Sequence, residues 1–350
     1  MSMTPDSEKV AVISGGTAGV GRSVAEMLLG RGYSVAVLAR GQERLDAFEA
    51  AYPGRVIGIK ADVAKHAEVD AAAQQVMDKW GRIDTWVNSA MLTSFSPFME
   101  MEPDEFEAIV NGTFLGQVNG TRAAMKHMTR GNIVCIGSGL AYRAVPFQSA
   151  YCSAKHAING FAQAVRSELI KQDSGIVLSL VQLPAINTPQ FEWARNRLKS
   201  HPQPAPPIYQ PEVAAKGVLK AIDENSREVF VGFPVLELFF GNVLVPWFID
   251  RKLAKDGEDM QTTDRPDPDR SGNLFEPAAR EGTAHGIFDR RANDSGIIID
   301  ADVARGLVAV AAPAIAFGVG MLAMGMLGSN RAPRRRRRVG APYVNRRIGY

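Results

Sequence analysis

The stretch VAVISGGTAGVGRSVAEMLLGRG, Val10 to Gly32, joins three patterns whose order decides the fold. VAVIS is a short β-branched run of the kind that forms a strand buried on both faces. SGGTAGVG follows directly, with Gly15, Gly19 and Gly21 spaced GxxxGxG, and RSVAEMLLGRG then sets apolar residues at helical intervals. Strand, glycine turn and helix in that order make a cradle for phosphate. The glycines let the backbone turn tightly and come close to a pyrophosphate, and the helix N-terminus faces it with N–H groups and the positive end of its dipole.

Outward from that loop the alternation continues. YSVAVLA, RVIGIKA, DTWVNSA, GNIVCIG, GIVLSLVQ and REVFVG read as further strands, with VDAAAQQVMDKW and AINGFAQAVRSELIKQ as amphipathic helices between them. This predicts an α/β domain over residues 9–232: a doubly wound parallel sheet in a three-layer α/β/α arrangement, with its ligand crevice at the carboxyl ends of the strands. Residues 1–8 are a polar tail without the pattern of a signal peptide. Residues 233–255 predict an apolar helical extension near the pocket. Residues 256–300, rich in Pro, Gly and charge, predict a flexible connector whose apolar islands NLFEP and HGIFD are the parts able to dock.

The rest of the C-terminal extension has another character. Within residues 303–329 the run Gly306 to Gly328 carries no charge, and at about 1.5 Å per helical residue it is long enough to span a membrane or to lie along one. Residues 330–350 form an arginine-rich tail, with Arg331, Arg334 to Arg338, Arg346 and Arg347 and no acid. The net charge is only +3, so the chain before the tail is net acidic and no nucleic-acid partner is expected. Membrane lipid is the partner the C-terminus suggests, in either a re-entrant or an interfacial arrangement or a span that overrides the positive-inside rule. The two cysteines, Cys135 and Cys152, suggest neither a disulfide framework nor a metal cluster, which fits a cytoplasmic catalytic domain associated with membrane through its C-terminus.

Two sites on the sheet carry further chemistry. The second strand ends at Ala39-Arg40, where an acid would accept from ribose hydroxyls. An arginine there instead suits a ribose 2′-phosphate and favours NADP(H) over NAD(H). Asp62 and Val63 end the third strand, where a carboxylate suits an adenine amino group. Further on, AYCSAKHA sets Tyr151 and Lys155 four residues apart on one helix face. A lysine there is expected to lower the phenol's pKa and make it a usable proton donor.

With those glycines, NSA at Asn88 to Ala90, and YCSAK in this order, residues 9–232 resemble the short-chain dehydrogenase/reductase family. Ser138 stands thirteen residues before Tyr151, at the family's serine-to-tyrosine spacing, and LPAINTP resembles its loop over the nicotinamide. The resemblance implies a Rossmann-like fold and an oxidoreductase that passes hydride between NADP(H) and a small-molecule carbonyl or secondary alcohol. It gives catalytic roles to Ser138, Tyr151, Lys155 and Thr113. Cofactor contacts fall to Gly15, Thr17, Gly19, Val20, Gly21, Arg40, Asp62, Val63, Asn88, Ala90, Tyr151, Lys155, Pro184, Ile186 and Thr188. It also implies a homo-oligomer, and no metal.

Three positions depart from the family pattern. Met91 replaces a turn glycine, Ala185 follows Pro184 where glycine is usual, and Thr113 stands where an asparagine supports a relay water. Asn111 faces elsewhere on the helix and is no simple substitute. Met91, Leu92, Leu140, Phe147, Phe191 and Trp193 predict an apolar substrate, and His201 to Pro211 predicts a lid edge or strap, with His201 structural. The competing reading is a dinucleotide-binding sensor or membrane-associated interaction protein with vestigial catalysis, motivated by Thr113 and the long tail.

Overall fold

A computed structural model describes residues 9–307 and residue 309. The described residues up to Asp302 form one compact unit, and those from Val303 on belong to a second. Seven parallel strands coincide with the seven β-branched runs: β1 (Val10–Ser14), β2 (Ser34–Ala39), β3 (Val56–Lys60), β4 (Thr85–Asn88), β5 (Arg130–Ile136), β6 (Gly175–Gln182) and β7 (Glu228–Val231). An eighth, β8 (Ile298–Asp300), lies antiparallel against β7, with Phe230 opposite Ile299. The order across the sheet is β8-β7-β6-β5-β4-β1-β2-β3. The connection after β3 returns across β1 to β4, and this reversal opens the crevice at the strand ends.

The period of two in each strand divides the core between two layers. Ala11, Ile13, Val35, Val37, Val134 and Val229 pack on one face with Leu28 of α1 (Gly19–Gly30) and, beyond α2 (Gln42–Ala51), α3 (His66–Trp80), α4 (Pro103–Val110), α5 (Gly116–His127) and α6 (Ser149–Lys171), with Val218 of α7 (Pro211–Glu224). Val10, Val12, Ala36, Leu38, Ile133 and Leu180 pack on the other, against Val69 and Val76 of α3, Ala123 of α5 and Ile158 of α6. Two further helices, α8 (Phe233–Leu244) and α9 (Pro246–Gln261), follow the last parallel strand.

Residues 256–300 differ from the flexible connector that their composition predicts. After α9 completes itself at Gln261, Thr262–Pro266 pairs antiparallel with Ser200–Pro202, Ala292–Asn293 pairs with Ile208–Tyr209, and the segment ends in β8. Both apolar islands dock, with Leu274 and Phe288 buried. Proline and charge keep this strap out of regular helix, while side-chain contacts and short backbone pairings hold it. Composition reads the first property and is blind to the second. The expected membrane segment and arginine tail lie, from residue 310 on, outside the described residues. Among those described, no helix is long and apolar enough to cross a membrane.

Candidate active site

The residues that follow six of the parallel strands converge on one cavity of about 440 Å³, walled by Gly15, Arg40, Asp62, Ala90, Ser138 and Pro184 among others. Gly15 makes the first turn possible. Its φ is +72°, and a Cβ there would come within 2.8 Å of the Ala90 backbone, so the loop can pass the end of β4 only without a side chain. Thr17, Gly19 and Val20 line the same wall, as do Val63, Ile186 and Thr188. Gly21 does not line the cavity; a Cβ on it would meet the Gly15 carbonyl at 2.4 Å, so its role is to close the loop.

Ser138 caps a turn of 3₁₀ helix after β5, its Oγ accepting from the Leu140 N–H at 3.1 Å. Its own N–H donates to Gln182 Oε1 at 2.8 Å. Gln182 is held in turn by donating to Asn159 Oδ1 and Glu228 Oε1, each at 2.9 Å, so a buried polar network braces the serine from behind. Helix α6 begins at Ser149 and brings Tyr151 and Lys155 onto the cavity wall on one face. Lys155 is buried, donates to the Ile136 carbonyl at 2.7 Å, and holds its ammonium 5.5 Å from the Tyr151 ring centroid. Gln117 Nε2 donates to the same carbonyl at 2.9 Å, while its Oε1 is buried without a partner among the described residues.

The electrostatics correct one expectation. Burial pushes the Tyr151 phenol up, outweighing the hydrogen bond from Ser138 that pulls it down, and Cys152 adds to the rise. Lys155, expected to lower it, is itself brought down to about 7, chiefly by burial. A lysine enclosed by protein has lost much of the charge with which it would act on its neighbour. The pair is therefore close in space but poised toward its neutral forms.

Besides Gly21, two of the expected site residues are not brought to the cavity. Asn88 is fully buried; its Oδ1 accepts from Trp86 Nε1 at 2.9 Å and its Nδ2 donates to Thr121 Oγ1 at 3.1 Å, which ties β4 to α5. Thr113 sits in a π-helical turn, Asn111–Leu115, between α4 and α5. Its Oγ1 donates to the Leu92 carbonyl and accepts the Leu92 N–H, both at 2.9 Å, so the threonine braces the loop after β4. Of the expected apolar lining, Met91, Leu92, Leu140, Phe191 and Trp193 face the cavity, and Phe147 packs outside it near Phe191.

The strap reaches the same crevice. The Gly19 N–H donates to the Thr283 carbonyl at 2.9 Å, and Arg22 donates to the carbonyl of Gly282. Arg40 donates from Nη1 to Leu274 O at 2.9 Å and from Nη2 to Asn273 O at 2.5 Å. Arg44, in the first turn of α2, is a further cation that the sequence analysis does not single out. It lines the cavity, with its guanidinium 5.3 Å from the Trp193 ring centroid. Burial and the neighbouring Arg40 both lower its pKa, the mark of two cations held close together. Arg40 precedes the start of α2 and Gly41 between them is extended, so helical spacing carried no signal for this pair; the fold brings the two together. Among the described residues no group of three or more His, Cys, Asp or Glu is arranged to hold a metal ion.

A family model described as short chain dehydrogenase matches residues 9–198. "Uncharacterized oxidoreductase YxnA" of Bacillus subtilis (strain 168) is 31% identical over 87% of this chain and 90% of its own length. "Putative oxidoreductase SadH" of Mycobacterium tuberculosis is 30% identical over 64% of this chain and 86% of its own. A crystal structure of a short-chain dehydrogenase from Streptomyces avermitilis, 24% identical, superposes with a TM-score of 0.60 over 72% of this chain and 98% of its own, and supports the fold alone. The chain thus belongs to the short-chain dehydrogenase family. It is an oxidoreductase of that type, with a Rossmann-like fold, a nicotinamide dinucleotide as cofactor and a small molecule as substrate.

Proposed function

We propose that the protein is an NADP(H)-dependent oxidoreductase acting on the carbonyl or secondary alcohol of a predominantly apolar substrate. The observation that carries this is the convergence of Ser138, Tyr151 and Lys155 on the cavity that the glycine loop also lines. The residues fit the dinucleotide: the turn at Gly15 has no room for a side chain, Asp62 and Val63 wall one end, and Ala90, Pro184, Ile186 and Thr188 wall the other. When bound, the dinucleotide supplies or accepts the hydride.

The chain's own residues do the rest. Tyr151 Oη gives a proton to the substrate oxygen in reduction, or takes one in oxidation, and its raised pKa keeps that proton in place until charge develops on the substrate. Ser138 Oγ hydrogen-bonds the same oxygen, held for that task by the Gln182 network. Lys155 holds the ribose and, when protonated, stabilises the phenolate. Met91, Leu92, Leu140 and Phe191 exclude water and select an apolar substrate. Thr113 keeps the loop after β4 in position. Family membership favours this enzyme over a sensor with vestigial catalysis.

Arg40 and Arg44 support the choice of NADP(H), because two neighbouring cations at a cavity wall are relieved by a phosphate between them. Replacing both by alanine is expected to weaken NADPH at least about tenfold more than NADH, as read by cofactor titration. Equal losses would remove the 2′-phosphate reading. Turnover across a panel of aliphatic and aromatic ketones and alcohols tests the reaction itself. Two further expectations belong to this reading. The chain assembles as a homo-oligomer, and its uncharged run Gly306 to Gly328 with the arginines beyond associates with membrane. Sedimentation tests the first, and release by detergent as opposed to salt tests the second.

A further inference from the structure

The turn between α8 and α9 carries six consecutive exposed residues, Val243-Leu244-Val245-Pro246-Trp247-Phe248, and every one is apolar. Val243 is 72% exposed, Leu244 74%, Trp247 62% and Phe248 53%. Scattered apolar side chains on a surface need no explanation, but an unbroken run of this size at a helical turn does. We propose that this hairpin is a membrane-docking tip that enters the interface of an anionic lipid bilayer and delivers apolar substrate to the active-site cavity.

Three observations favour lipid as the occupant. The first is charge. Arg251 and Lys252 follow Phe248 within one turn and are exposed, and the Arg251 guanidinium lies 5.5 Å from the Trp247 ring centroid. An apolar tip carrying tryptophan and backed by cations suits acyl chains below and anionic headgroups above. The acid on that turn, Asp250, is paired with Arg143 and does not leave an unopposed negative charge there.

The second is position. The same two helices wall the cavity, through Pro234 and Leu238 of α8 and Leu253 and Met260 of α9, so the tip and the substrate space share their walls. The Leu238 side chain packs against the turn that Ser138 caps. A substrate dissolved in acyl chains therefore has an apolar surface to follow toward the site. This step rests on the apolar-substrate reading above.

The third is the chain's own sequence. Gly306 to Gly328 and the arginines after it repeat, later in the sequence, the same pairing of an uncharged run with cations. Two such elements together give the stable attachment that a single weak one does not.

The test uses the full-length chain. Leu244→Cys is labelled with an environment-sensitive fluorophore, and Gln74→Cys, at an exposed position of α3, is the control; the two native cysteines are buried. With vesicles of phosphatidylcholine and phosphatidylglycerol, the label at 244 is expected to shift to the blue and to be quenched by brominated acyl chains, while the control stays in water. Leu244→Ser combined with Trp247→Ser is expected to lower the vesicle partition coefficient by about tenfold or more, with cofactor affinity unchanged. If the label at 244 stays aqueous while the chain sediments with vesicles, the C-terminal segment holds the protein alone and the docking tip is refuted. If the double variant loses all sedimentation, the hairpin stands and the C-terminal reading fails. If the label shifts without vesicles as protein concentration rises, a second copy covers the tip and the proposal is overturned.

Discussion

Tyr151 and Lys155 are both driven by burial toward their neutral forms, and that tendency has separate consequences for rate and for stability. Tyr151→Phe keeps the ring and its packing but removes the proton, so turnover is expected to fall about a hundredfold to ten-thousandfold with cofactor affinity unchanged. Rate and binding measured on the same preparation check this, and undiminished turnover would take the tyrosine out of the mechanism. Lys155 makes the opposite kind of prediction. Its folded pKa of about 7 lies below the ordinary 10.5, so between those values the unfolded chain binds a proton that the folded chain does not. Stability from this group therefore rises with pH through that window, and below about pH 7 the full cost of burying the ammonium is present. In the nucleotide-free protein, Lys155→Met is expected to be more stable than the parent at pH 7, by on the order of a few kcal/mol, with the difference closing toward pH 10.5. Denaturant unfolding at several pH values measures it. A lysine kept where it lowers stability is understandable if its task is catalytic.

At the scale of the element, the strap is held by contacts that its composition hides. His285 lies between two carboxylates, its Nε2 2.8 Å from Glu212 Oε1 on α7 and its Nδ1 3.0 Å from Asp289 Oδ1 within the strap, and the protonated ring donates to both. Burial pulls its pKa down, but the hydrogen bonds and charges of Glu212 and Asp289 outweigh burial and raise it. A raised histidine contributes stability that is fully present below its unfolded value near 6.5 and lost as pH climbs through the folded one. Amide exchange in residues 282–290 is thus expected to quicken as pH rises from 6 to 8 by more than intrinsic exchange chemistry accounts for. His285→Gln should remove the excess. An excess that survives the substitution would move the strap's pH response to another group. Asn187 adds a clasp without charge, its Oδ1 accepting from the Phe288 N–H at 3.0 Å.

Over the whole molecule, the C-terminal extension completes the sheet. β8 covers the edge of β7 through three residue pairs, Val229 with Asp300, Phe230 with Ile299 and Val231 with Ile298. An uncovered, apolar edge strand invites pairing with another chain. A chain ending at residue 296 is therefore expected to be about 1 to 3 kcal/mol less stable than one ending at 302, and to scatter more light as it approaches unfolding. Thermal unfolding with light scattering compares the two. Identical behaviour would mean that the strand only decorates the edge.

The sequence by itself determined the parallel sheet, the glycine turn and the alignment of Tyr151 with Lys155, because each follows from local periodicity: two for the strands, about 3.6 for the helices, and glycine at a turn that no side chain can enter. The same locality explains how Arg40 was legible as a cation at the end of β2 while its partners were not, since Asn273 and Leu274 lie more than two hundred residues on. What only the tertiary structure decided depends on long-range enclosure. Asn88 turned away to Thr121, Thr113 became a brace on Leu92, the strap docked across the crevice, and burial reversed the expected shift of the Tyr151 phenol. Spacing along a chain measures which side chains share a face; it does not measure how completely the rest of the molecule removes water from them, and the charge state of a buried pair depends on that removal.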